Sequence, residues 1–193
     1  MTKTKTILAI SFVAIFAISM VMAPVYAGGH LIFEKSEVKI KEKKGTIDVK
    51  AKVTAKIPKD ESGAFGWALL GWAKVLVLVT HVPAFDDSAF DDKKGAFHPH
   101  VLSLLAEPTA ECKTTNEVDL SVTVTDPGYK NKVGKDKFSI KKVPLADLGA
   151  KTGDGPTLAG IALSVVDDDD LENGFHLCVD VKDISIPKLK LKK

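Results

Sequence analysis

From Thr46 to Ile57 the chain alternates without a break. Ile47, Val49, Ala51, Val53, Ala55 and Ile57 are apolar, and Asp48, Lys50, Lys52, Thr54 and Lys56 between them are polar. A repeat of two puts these sets on opposite faces of an extended chain, whereas a helix would mix them around its circumference. The stretch predicts a β-strand with one dry face, and that face needs a second layer to cover it.

The same signal recurs along the chain. Glu37 to Lys41 alternates, with Lys43-Lys44-Gly45 as the turn that follows. Trp67 to Val82 is apolar on both faces and predicts a buried central strand. Val118, Leu120, Val122 and Val124 alternate with polar residues before the turn Asp126-Pro127-Gly128. Tyr129 to Val143 predicts a lysine-rich strand or hairpin, and Leu145 to Leu148 a single helical turn. Leu158 to Val166 and Gly174 to Ile186 predict a strand pair around an acidic turn. The expectation is all-β: an antiparallel β-sandwich of immunoglobulin-like architecture with about eight or nine strands. Lys188 to Lys193 reads as a basic, frayed C-terminal tail.

The first 27 residues read as a signal peptide. Lys3 and Lys5 precede the apolar run Ile7 to Val21, and Val25-Tyr26-Ala27 suits signal peptidase. The expected organisation is a signal peptide over 1–27 and a single domain over 28–193. The other reading is an uncleaved membrane anchor, because the run approaches the roughly 20 residues that span a bilayer. Either way the domain is expected to be secreted or extracytoplasmic, including at a cell surface. Cys112 and Cys178 then predict one disulfide, with buried free thiols as the alternative.

Removing Lys3 and Lys5 leaves 25 lysines against 25 carboxylates, and the chain contains no arginine. Near-neutrality and the lack of planar, bidentate phosphate readers argue against nucleic acid as a partner. Phosphate-binding glycine motifs are also absent.

Cleavage after Ala27 would start the chain at Gly28-Gly29-His30. A free amine, two amide nitrogens and an imidazole make a square-planar set of four nitrogens, suited to Cu(II) or Ni(II). These three residues resemble the amino-terminal copper- and nickel-binding motif, and the resemblance covers them alone. A second candidate is His81 with His98 and His100, two residues apart on an extended segment and so on one face. His176, from the last long strand, is a further candidate ligand. Imidazoles suit copper first and zinc second. The acidic runs Asp86, Asp87, Asp91, Asp92 and Asp167 to Asp170 with Glu172 raise calcium, without the helix-loop-helix pattern, and equally read as solvated loops.

Nothing marks a catalytic nucleophile or an acid pair, so a non-enzymatic binding protein is expected, with a metal ion or a protein as its partner. The alternative is a cell-surface or envelope structural module. In that reading Trp67 and Trp72, within the glycine-rich apolar stretch Gly63 to Trp72, form an interaction surface, including one for homo-oligomers.

Overall fold

The computed structural model describes residues 28–58, 64–80, 97–121, 128–149, 155–168 and 174–192. Among these the protein is all-β. The strands are β1 (Phe33–Lys41), β2 (Thr46–Val53), β3 (Ala64–Leu70), β4 (Val75–Val79), β5 (His98–Leu102), β6 (Asn116–Glu117), β7 (Lys130–Val133), β8 (Lys137–Pro144), β9 (Thr157–Asp167), β10 (Phe175–Ser185) and β11 (Lys188–Lys192). They form a five-stranded sheet, ordered β11-β1-β2-β8-β7, and a six-stranded sheet, ordered β5-β4-β3-β9-β10-β6. Every pairing is antiparallel except β1 with β11.

The alternation that opened the sequence analysis lies at the centre of the five-stranded sheet, in β2. Its dry residues Ile47, Val49, Ala51 and Val53 are buried, beside Val38 and Ile40 of β1 and Phe138 and Ile140 of β8. Phe65, Trp67 and Leu69 of β3, Leu76 and Leu78 of β4, and Leu158 of β9 face them from the other sheet. Each fully buried large side chain here is worth roughly 1.5–3 kcal/mol over leaving it in water. The N-terminal segment crosses over β9 at Gly160. A Cβ at Gly160 would come within 2.2 Å of the Leu31 carbonyl oxygen, so only glycine admits the chain there.

The six-stranded sheet closes on itself. Beyond β5 the chain stays extended, and Leu104 bridges Val118 just past β6 at the opposite edge. Leu105 N–H donates to Glu117 O and Asp119 N–H to Ser103 O, both at 2.9 Å. Val118 N–H in turn donates to Leu177 O on β10. The inner face then forms its own apolar cluster, with Ala68 (β3), Val77 (β4), Leu102 (β5), Ile161 (β9) and Val179 (β10) around Val118. All six strands line one apolar cavity of about 60 Å³. The protein is therefore a five-stranded sheet packed on a small closed barrel, and the barrel has no open sheet edge along this seam.

Several expectations change. Trp67 to Val82 is not one strand: it divides into β3 and β4, joined by a turn at Gly71, where φ is +108°. Gly71 and Lys74 break the apolar run, and Lys74 N–H is held by the Leu148 carbonyl. Eleven strands form among the described residues, where eight or nine were expected, because the hairpins divide and short polar strands pair too. The expected frayed tail is β11, since Leu189 and Leu191 continue the face of Val38 and Ile40 in register. The expected strand from Val118 is reduced to the barrel seam, and residues 122–127 lie outside the described residues. The single turn at Ala146–Leu148 forms as expected, here as a 3-10 helix. Barrel closure is a feature that an open immunoglobulin-like sandwich lacks.

Candidate functional site

The Gly28-Gly29-His30 segment is built into the fold. Gly28 and Gly29 carbonyls accept hydrogen bonds from Leu31 and Ile32, and Gly29 O also accepts from the backbone and hydroxyl of Thr54. His30 is buried, 8% exposed, with its ring 4.5 Å from that of Phe65 and edge-on to it. Its carbonyl accepts the Trp67 indole N–H at 3.1 Å. The imidazole is turned back onto Gly28: a Cβ at that position would lie 2.4 Å from Nδ1 and 2.3 Å from Cε1. Nε2 is buried without a hydrogen-bond partner. Burial lowers the His30 pKa, so the ring is neutral at pH 7. The exposed, flexible start that a glycine pair suggests is not what forms.

His98 and His100 come together. They project to the inner side of the barrel wall, opposite Val79 and Val77, with ring centroids 4.5 Å apart. His81 lies outside the described residues, as do Asp86, Asp87, Asp91, Asp92, Asp169, Asp170 and Glu172.

His176 belongs elsewhere. On β10, Leu177 and Val179 point into the barrel, so His176 and Cys178 point out of it. The period of two thus puts His176 on the far side of the wall from His98 and His100, and they cannot share an ion. Its partners are Asp168, from the acidic run, and two acids that sequence reasoning missed, Glu111 and Glu117. Nδ1 lies 2.6 Å from Glu117 Oε1, Nε2 lies 2.9 Å from Asp168 Oδ2, and Glu111 Oε2 stands 3.8 Å from Nε2. Thr109 N–H donates to the other Glu117 oxygen at 2.7 Å. A carboxylate at each ring nitrogen suits the imidazolium, which donates from both. The Glu117 bond foremost, then that to Asp168, raises the His176 pKa. Burial pushes Glu117 upward, but the Thr109 amide and His176 outweigh it and its pKa is lowered.

The expected disulfide holds this cluster. Cys112 and Cys178 are bonded, with Cα atoms 5.4 Å apart across 66 residues of sequence. A loop of this length is worth roughly 4 kcal/mol in the chain-entropy model. The bond ties the Thr109–Cys112 segment over His176. A signal for the cluster existed: once Cys112 meets Cys178, Glu111 and Glu117 must fall close to His176.

Trp67 is not a surface residue. It is 1% exposed and stacks on Phe138 at 4.2 Å and on Phe97 at 5.3 Å between the sheets. Trp72 is half-buried and packs against the same core.

Among the described residues, no group of three or more His, Cys, Asp or Glu side chains is arranged to hold a metal ion. No helix among them is long and apolar enough to cross a membrane. The disulfide is compatible with an extracytoplasmic location. In comparisons with known proteins the chain matches no family model, no curated protein and no solved structure.

Proposed function

We propose that the chain from Gly28 onward is an extracytoplasmic, non-enzymatic binding protein that takes one Cu(II) at Gly28-Gly29-His30. The observation that carries this reading is the His30 imidazole folded back on Gly28, a contact only glycine allows. The amine of Gly28, the amides of Gly29 and His30, and Nδ1 would supply four nitrogens in one plane, the set that copper prefers over zinc or calcium. A neutral imidazole suits this role, since a protonated ring cannot ligate. His98 and His100 offer two further imidazoles, enough for a weaker second ion only if other ligands join them. The sandwich-end site expected from His81, His98 and His100 is thereby secondary to the N-terminus.

The test is Cu(II) titration of protein beginning at Gly28, read by calorimetry and by the visible band of a four-nitrogen square-planar complex. One tight equivalent is expected. It should vanish in His30→Ala and when one residue precedes Gly28, and persist in the double variant His98→Ala, His100→Ala. A protein that starts at Gly28 and retains no copper overturns the proposal.

A further inference from the structure

The outer face of the five-stranded sheet carries twelve lysines, three each from β1 and β11 and two each from β2, β7 and β8. Glu37 and Asp48 stand among them by register, and Glu34 lies beside Lys52 at the bulge of β1. The whole chain has a net charge of only +2, so positive charge is concentrated on this one face.

Pairing makes the concentration costly. Lys35, Lys52 and Lys137 stand directly opposite one another across β1, β2 and β8. Lys39 faces Lys190, Lys41 faces Lys192, and Lys130 faces Lys141. Like charges directly opposite on a sheet destabilise it. Ion pairs offset some of this: Lys41 bonds Asp48, Lys52 bonds Glu34, and Lys190 bonds Glu37. Solubility alone needs no such rows, because interspersed signs serve it better.

The face is also hollow. An open trough of about 840 Å³ crosses it from Lys137 on β8 to Lys190 on β11, lined by six lysines and two glutamates. Neighbouring strands lie about 4.8 Å apart, so cations recur along the trough at about that step. Among the described residues no aromatic side chain of these five strands shares the lysine face, since Phe33 and Phe138 pack against the core, and all the basic groups are lysine, without the guanidinium fork that reads phosphate or guanine. A concave trough admits a chain, whereas a bilayer is a plane.

We infer that this face binds a linear acidic polysaccharide along the trough. Recognition is electrostatic, by lysine ammonium groups on carboxylate or sulfate groups spaced along the polymer. The site is independent of the copper reading.

The experiment measures binding of the protein to polygalacturonate and dextran sulfate at low and high salt. Neutral dextran, phosphatidylglycerol vesicles and duplex DNA serve as comparisons. Two variants with equal net charge are tested. The face variant is Lys35→Glu, Lys52→Glu, Lys137→Glu, and the control is Lys74→Glu, Lys113→Glu, Lys182→Glu, at positions on or beside the strands of the six-stranded sheet. Thermal melts establish that both fold. A Lys35→Gln, Lys52→Gln, Lys137→Gln variant replaces the face variant if that one does not.

The expected result is binding to the acidic polysaccharides that weakens about tenfold or more between low and high salt. The face variant should lose roughly tenfold or more and the control less than about threefold. No binding at low salt, or equal loss in the two variants, overturns the inference. So does tighter binding to DNA or to the vesicles than to either polysaccharide.

Discussion

His176 Nδ1 lies 2.6 Å from Glu117 Oε1 in a buried contact that the Cys112–Cys178 disulfide holds closed. The pair makes stability depend on pH from both sides. His176 has a raised pKa in the folded protein, so its contribution is complete below its ordinary value of 6.5 and is lost as pH rises through the folded value. Glu117 has a lowered pKa, so its contribution is complete above its ordinary value of 4.5 and is lost as pH falls through the folded value. The window of full effect lies between those two ordinary values. Urea unfolding at about pH 6 should show His176→Ala less stable than the parent by about 3 kcal/mol, because Glu117 stays buried without its partner. The difference should shrink as pH rises past the raised His176 pKa. A difference that stays constant to alkaline pH would show that His176 is neutral throughout.

Barrel closure predicts slow amide exchange at a seam that carries only one bridge. The N–H groups of Leu105 and Asp119 are each bonded across it. Hydrogen exchange by NMR should find both protected, approaching the amides of β9 in the middle of the same sheet. Asp119→Pro removes one of the two bonds and should speed exchange at Leu105 by about tenfold, equivalent to about 1.4 kcal/mol of local opening. Rates typical of open loops at Leu105 and Asp119 in the parent protein would mean that the sheet does not close.

Trp67 tests core against surface. Its ring fills the space between Phe138 and Phe97, and its indole N–H satisfies the His30 carbonyl. Trp67→Ala should cost about 3–5 kcal/mol in chemical unfolding. Trp67→Phe keeps much of the volume and should cost less, with about 1 kcal/mol from the orphaned carbonyl. Size-exclusion elution of the folded Phe variant should match the parent. A changed oligomeric state with unchanged stability would restore Trp67 as an interaction residue.

Lys142 sits at φ +61° in a bulge of β8, with its N–H on Asp48 Oδ1 at 3.0 Å. A left-handed conformation costs an L-residue about 1 kcal/mol and a β-branched one more. Lys142→Gly should therefore leave stability unchanged or raise it by up to about 1 kcal/mol, whereas Lys142→Val should lower it by about 1–2 kcal/mol. Thermal melts check both; a stabilising valine would mean that the bulge is not populated in solution.

Alternation by itself determined the all-β class, the dry and wet faces of β2 and the β9–β10 pair, and a run apolar on both faces determined the burial of the Trp67 stretch. It could do so because side-chain direction along a strand is a local property with a period of two. The Cys pair was legible for a similar reason, since two cysteines admit one disulfide. What stands opposite what is not local. Only the tertiary structure decided that Leu104 meets Val118 and closes a barrel, or that Lys188–Lys192 pairs parallel to β1 instead of fraying. The same holds for the histidines, which composition grouped and the barrel wall divides: His98 and His100 inside, His176 outside among carboxylates, His30 folded onto Gly28. The lysine face shows both levels together. Each strand spelled out its own wet side, and the register of five strands brought those sides onto one face.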